Sequence, residues 1–285
     1  MTRILLTGAG GMLGHDLVDT FSDADLDART HGDLDITDDK AVARAVEGAG
    51  VVINAAAYTK VDDAETERDL AFAINAEGPR NLARACKTYG ARLIHISTDY
   101  VFDGSAATPY PENTPRNPVS VYGESKAAGE EAIETEHPDG SIIIRTAWLY
   151  GQHRPNFPRT MLRLAQAHDS VKVVTDQVGQ PTWTRDLAGW IRLLVNSDIQ
   201  SGVFHGTNSG ETSWFEFARE VYRLAGLDPQ RIQPTTSDEF PRPAPRPAWS
   251  VLGHEAWGKA GLPEPRDWRE ALKKAFPICF EAELS

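Results

Sequence analysis

The chain is poor in cysteine, with Cys86 and Cys279 alone among its 285 residues. Two cysteines cannot build a disulfide framework or a cysteine-rich zinc site. The eight histidines fall at no metal-ligand spacing, so no metal is expected. No run of 18 apolar residues occurs, which leaves nothing to span a membrane as a helix. Basic side chains are outnumbered: 29 Lys and Arg face 41 Asp and Glu, a formal net charge of −12. Such a balance argues against nucleic acid or an anionic membrane as partner. The first residues, Met1-Thr2-Arg3-Ile4, run straight into an apolar stretch and leave no room for a signal peptide. The expectation is a cytoplasmic protein in a reducing compartment. Hydrophobic residues at 41% and charged residues at 25% exclude disorder, and the length suits about two domains.

What is present is an alternation. Short apolar runs at 3–7, 51–54, 92–97 and 141–145 read as buried strands. Between them 12–21, 70–89 and 124–136 carry helical spacing. Continuous apolar strands separated by helices predict an α/β fold, a Rossmann-type doubly wound parallel sheet covered on both faces. After residue 145 the pattern loosens, with helices expected at 156–167, 213–225 and 267–276. Residues 240–247 read Phe-Pro-Arg-Pro-Ala-Pro-Arg-Pro, an extended loop. We therefore expect a nucleotide-binding domain over 1–150, plus some returning segments. A smaller C-terminal substrate-binding lobe is expected mainly over 151–285.

Gly8-Ala9-Gly10-Gly11-Met12-Leu13-Gly14 lies at the first strand–helix junction. Glycines there permit a tight turn, close approach of a pyrophosphate and close helix–strand packing. The helix N-terminus offers free N–H groups to phosphate. Near the end of the expected second strand stand Arg29, Thr30 and His31, which favour NADPH and leave NADH possible. Arg29 reads either as the cation for a ribose 2′-phosphate or as a solvated charge. Asp35 and Ile36 are placed beside the adenine.

Tyr122 and Lys126 are four residues apart and share one helix face. An ammonium beside a phenol favours phenolate and so suits the tyrosine to proton transfer. Ser97-Thr98-Asp99 closes an apolar strand, where a hydroxyl can aim a carbonyl oxygen at Tyr122.

Taken in order, the Gly8/Gly11/Gly14 loop, Asn54-Ala55-Ala56-Ala57, Asn75, Ser97-Thr98 and Tyr122/Lys126 resemble the extended short-chain dehydrogenase/reductase family. The blocks at 54–62, 97–104, 145–150 and 244–252 extend the resemblance, over nearly the whole chain, to its members acting on dTDP-linked 4-keto-6-deoxy sugars. The resemblance implies a catalytic triad of Thr98, Tyr122 and Lys126. The nicotinamide would deliver hydride to the C4 keto carbon, Tyr122 a proton to the oxygen, and Thr98 would orient it. Gly8, Gly11, Met12, Leu13 and Gly14 would cradle the cofactor. Ala55, Ala56 and Ala57 would leave room for it, Tyr58 would line it, and Lys126 would hold its ribose. Asp99, Tyr100 and Trp148 would contact the sugar. Arg246 reads, on chemistry alone, as facing the nucleotide diphosphate or as a surface arginine.

The expected partner is a dTDP-4-keto sugar, with the chain a monomer or homodimer. Some family members bridge dimers through a metal held partly by an acidic residue of the first helix. Asp16 stands in that region and is shorter than the glutamate expected there, so no metal is predicted. Residues 177–182 read as a cleft lining or a hinge, and Asp186 as structural. Two further readings stay open. An epimerase of the superfamily would keep NAD bound, whereas a dehydratase is disfavoured because no glutamate follows Thr98-Asp99. The regulatory subunit of methionine adenosyltransferase resembles the same reductases without turning over.

Overall fold

The segments 4–6 and 51–53 contain only Ile, Leu and Val, so neither face of these strands tolerates water. In the computed structural model, which describes residues 2–283, they lie at the middle of a parallel sheet. Met1, where the leader reading begins, lies outside the described residues, as do Leu284 and Ser285 at the end of the expected second lobe. The strands are β1 (Ile4–Thr7), β2 (Leu26–Arg29), β3 (Val51–Asn54), β4 (Arg92–Thr98), β5 (Ser141–Thr146) and β6 (Gly202–His205). Their order is β6-β5-β4-β3-β1-β2, with every pairing parallel.

The helices are α1 (Met12–Thr20), α2 (Asp39–Val46), α3 (Arg68–Phe72), α4 (Gly78–Tyr89) and α5 (Val121–Glu136) in the first half. In the second they are α6 (Phe157–Ala167), α7 (Thr184–Val195), α8 (Trp214–Leu224), α9 (Glu255–Lys259) and α10 (Trp268–Cys279). Leu13 and Leu17 of α1 and Leu187, Ile191 and Leu194 of α7 cover one sheet face, against Leu6, Ile53, Ile94 and Ile144. Val42, Leu82, Cys86 and Ile133 cover the other, against Leu5, Val52, Leu93 and Ile143. This is the doubly wound arrangement expected.

The helix expected over 70–89 is interrupted. A π-helical turn at Ala73–Glu77 separates α3 from α4. There the buried Asn75 accepts from the Tyr58 backbone N–H at 2.8 Å and donates to the Tyr58 carbonyl and Ser125 hydroxyl, both at 3.0 Å. An extra residue in the turn swings this amide inward. The last helix also runs past its expected end at 276, through Pro277 to Cys279.

The chain beyond residue 150 returns to the sheet, since β6 pairs with β5 and α7 packs on α1. The remainder forms a second core, in which Met161, Phe217, Val221, Tyr222, Trp268 and Leu272 join α6, α8 and α10. Two buried polar networks brace the structure. Arg145 on β5 donates to Glu130 on α5 at 3.0 and 2.7 Å, with both side chains at most 3% exposed. Gln180 accepts from Leu252 N at 2.8 Å and Thr207 Oγ1 at 2.9 Å, which fastens the chain beyond the proline-rich loop. That role accounts for Gln180 within the 177–182 stretch.

Candidate active site

Parallel strands carry their ligands at the C-terminal edge, where loops leave the sheet. The Gly8–Gly14 loop follows β1, residues 55–58 follow β3, Asp99 follows β4, and Trp148 follows β5. A cavity of about 660 Å³ opens there, lined by Gly11, Met12, Leu13, Gly14, Ala55, Ala57, Thr98, Asp99, Tyr100, Tyr122, Lys126 and Trp148. A second, of about 470 Å³, takes Gly8, Asp35, Ile36 and Ala56, and shares Gly10, Gly11, Ala55, Ala57 and Arg154 with the first. The two are ends of one groove over the glycine loop.

The loop has no room for side chains where the groove needs backbone. Gly8 has φ +77°, and a Cβ on it would lie 2.5 Å from the Ala56 nitrogen. A Cβ on Gly14 would lie 2.3 Å from the Gly8 carbonyl oxygen. The first turn of α1 has no side-chain cap and no acidic residue, so its N–H groups stay available to a phosphate. Groove and loop fit a dinucleotide.

Lys126 is 1% exposed, and its Nζ donates to the Ile96 carbonyl at 2.7 Å. Burial pushes its ammonium down to about 8, although Glu130 one turn along acts the other way. Behind it stands His95, fully buried, with Nε2 3.3 Å from Nζ. The tautomer follows from the network. Asn54 Oδ1 accepts from Thr7 Oγ1 at 2.7 Å and from Ala56 N at 3.1 Å. Its Nδ2 therefore donates to His95 Nδ1, at 2.9 Å, and the imidazole proton sits on Nε2 facing Lys126. Burial and the lysine charge hold His95 neutral, well below its ordinary value. His95 is therefore at once part of the buried core and a neighbour of the site.

Tyr122 is half-buried with its ring edge-on to Tyr100 at 5.5 Å. Burial pushes its hydroxyl up to about 12, while the neighbouring Thr98 hydroxyl pulls the other way. Burial, and not the ammonium expected to favour phenolate, sets the direction here, and the phenol keeps its proton at neutral pH. Thr98 Oγ1 donates to Asp99 Oδ1 at 2.9 Å. Asp99 is 2% exposed, and burial lifts its carboxyl to about 6 against the pull of the Ser250 and Thr98 hydroxyls. Trp148 adopts φ +45° and stacks on Trp214 at 3.6 Å between ring centroids, forming a wall of the cavity.

Three expected residues are placed elsewhere. Tyr58 packs with Ala64 and Ala71, and its hydroxyl donates to Glu67 at 2.7 Å, so it does not line the groove. Arg29 is held by Asp27 through Nε at 2.5 Å and Nη2 at 3.1 Å, outside both cavities. Arg246 pairs with Asp62 at 2.9 Å and lies near Tyr100 without lining the cavity. Asp186 accepts from Asn208 and Arg266, the structural role expected. Asp16 is buried with Oδ2 unpartnered. Among the described residues no three His, Cys, Asp or Glu side chains group as metal ligands, and no helix is long and apolar enough to cross a membrane. Arg154, in the groove, was not anticipated: it arrives from a loop with no motif of its own.

The pattern of the RmlD substrate binding domain family matches residues 1–279. The chain belongs to this family. A Streptomyces griseus relative named dTDP-4-dehydrorhamnose reductase is 49% identical, over 98% of this chain and 95% of that protein. A Streptomyces niveus relative named dTDP-4-keto-6-deoxy-D-glucose reductase is 47% identical, over 97% of each. The dTDP-4-dehydrorhamnose reductase of Bacillus anthracis str. Ames, solved in complex with NADP, superposes with a TM-score of 0.94 at 38% identity. It covers 98% of this chain and 100% of that one. The short-chain reductase resemblance is thereby established, and this RmlD-family chain carries the tyrosine, lysine and threonine in one cavity.

Proposed function

We propose that the chain is an NADPH-dependent oxidoreductase that reduces the C4 keto group of a dTDP-linked 4-keto-6-deoxy sugar. The carrying observation is the single cavity that joins Thr98, Tyr122 and Lys126 to the uncapped N-terminus of α1. The names of the relatives supply the substrate class and the NADP-bound neighbour the cofactor. When bound, the nicotinamide supplies the hydride. Gly11, Met12, Leu13 and Gly14 seat the pyrophosphate, and Ala55, Ala56 and Ala57 leave its path open. Asp35 and Ile36 border the adenosine end. Lys126 Nζ turns from the Ile96 carbonyl toward the ribose hydroxyls.

Tyr122 Oη, protonated at neutral pH, gives its proton to the alkoxide, a stronger base than phenolate. Thr98 Oγ1 shifts its donated bond from Asp99 to the keto oxygen and aligns it. Asp99, Tyr100 and Trp148 shape the sugar site. The Rossmann domain over 1–150, with some returning segments, carries most of the cofactor contacts, and 151–285 mainly form the substrate-binding lobe, in a cytoplasmic monomer or homodimer.

The test supplies purified protein with dTDP-4-keto-L-rhamnose generated in situ and follows NADPH and NADH absorbance separately. Substrate-dependent loss of NADPH is the expected result. No oxidation of either nucleotide refutes the assignment.

A further inference from the structure

NADPH differs from NADH by one phosphate on the adenosine ribose, and a cation is needed to read it. Arg29 is paired with Asp27 through two of its nitrogens and lines neither cavity. Among the described residues lining the adenosine end of the groove, the basic side chains are His31 and Arg154, and Arg154 also lines the end that holds Tyr122 and Lys126. Arg154 comes from the loop before α6, far along the chain. Its φ of +63° is one a non-glycine residue adopts only when its surroundings impose it.

The side chain reaches back across the glycine loop. Nε and Nη2 both donate to the Gly10 carbonyl, at 2.9 and 2.5 Å. No carboxylate pairs with it among the described residues. A Cβ on Gly10 would meet Arg154 Nη2 at 3.6 Å and Thr30 Cγ2 at 3.6 Å, so the guanidinium and the end of β2 flank one point. The end of β2 is where this fold places the adenosine ribose. Two donated bonds leave three of the five guanidinium N–H donors free.

We propose that Arg154 is the residue that reads the 2′-phosphate of NADPH and so sets cofactor preference, with His31 beside it. The proposal rests on the reductase reading above. A planar guanidinium presents paired donors to phosphate oxygens, and its exposure keeps the effect moderate. Fluorescence titrations of the full chain with NADPH and with NADH, on wild type, Arg154→Ala and Arg154→Lys, test it. Arg154→Ala should raise the Kd for NADPH roughly tenfold and leave that for NADH within about twofold, while Arg154→Lys recovers part of the loss. An equal loss for both nucleotides would put Arg154 on the shared pyrophosphate and overturn the assignment. An unchanged preference overturns it too, with the reductase reading intact. If wild type binds neither nucleotide, the reductase reading falls and this assignment with it.

Discussion

Raising the pH through 8 should silence the enzyme by taking one proton from Lys126. The groups around its Nζ are His95 on β4, the Ile96 carbonyl, and Glu130 and Tyr122 on its own helix. His95 is neutral and presents an N–H, and Tyr122 keeps its proton to about 12. Glu130 is already committed to Arg145 and Arg116. Nothing else near Lys126 titrates between neutrality and about pH 9. With its ammonium pushed down to about 8, Lys126 is charged in roughly nine-tenths of molecules at pH 7 and about one-tenth at pH 9. If only the charged form holds the ribose, kcat/KM for NADPH falls about tenfold across that interval. The parameter reports groups of the free enzyme, which is the state described here. Initial rates at limiting NADPH and saturating sugar, with circular dichroism at each pH to confirm folding, measure the profile. A guanidinium stays charged throughout, so Lys126→Arg, whatever its absolute rate, should lose the alkaline fall. A wild-type profile flat from pH 7 to about 9 would refute the reasoning, as would an unchanged alkaline limb in Lys126→Arg.

Tyr122→Phe removes the proton donor and leaves the cofactor groove intact. Turnover should fall by about 10²–10⁴ with the NADPH Kd unchanged, and stopped-flow plus titration would detect a departure from either. Asp99 gives a pH prediction of opposite kind. Its folded-state value of about 6 exceeds 3.8, so the fold binds this proton more tightly than the unfolded chain does. The resulting stability is full below about pH 4 and is lost as the pH rises through 6. At pH 7 the buried charge costs up to ~3 kcal/mol, so Asp99→Asn should raise the urea midpoint there and do little at pH 4. A variant no more stable at pH 7 contradicts the shift.

Legibility in the sequence followed side-chain pattern. Strands β1, β3 and β5 are built on runs of Ile, Leu and Val, and β4 on Leu93, Ile94 and Ile96, all buried, and they were placed within a residue or two. Helix α2 shows only Val42 and Val46 as its buried residues, too few to stand out from a polar loop. Strand β6 is Gly-Val-Phe-His, and only its parallel partner β5 makes it a strand. In the site, Tyr122 and Lys126 were legible because helix geometry converts their spacing into a shared face. Tyr58, which the resemblance sets along the cofactor, turns its hydroxyl to Glu67 instead, a direction that no motif encodes. Of the two readings of Arg29, the pairing with Asp27 two residues earlier on β2 favours the solvated charge. Arg154 left no local trace at all: its position depends on how the loop before α6 folds over Gly10.

The return of β6 to the sheet has a consequence for how the chain acquires its structure. Until residue 205 has been made, β5 is an edge strand with its hydrogen-bonding groups unpaired along one side. The first half, emerging from a ribosome, is therefore an unfinished sheet that also lacks α7 over Leu6, Ile53 and Ile144. Cutting the gene near residue 150 would yield a sticky fragment instead of a small nucleotide-binding protein. The sheet and the second core are thus interleaved in the order of synthesis, because β6 and α7 rejoin the sheet after residue 150.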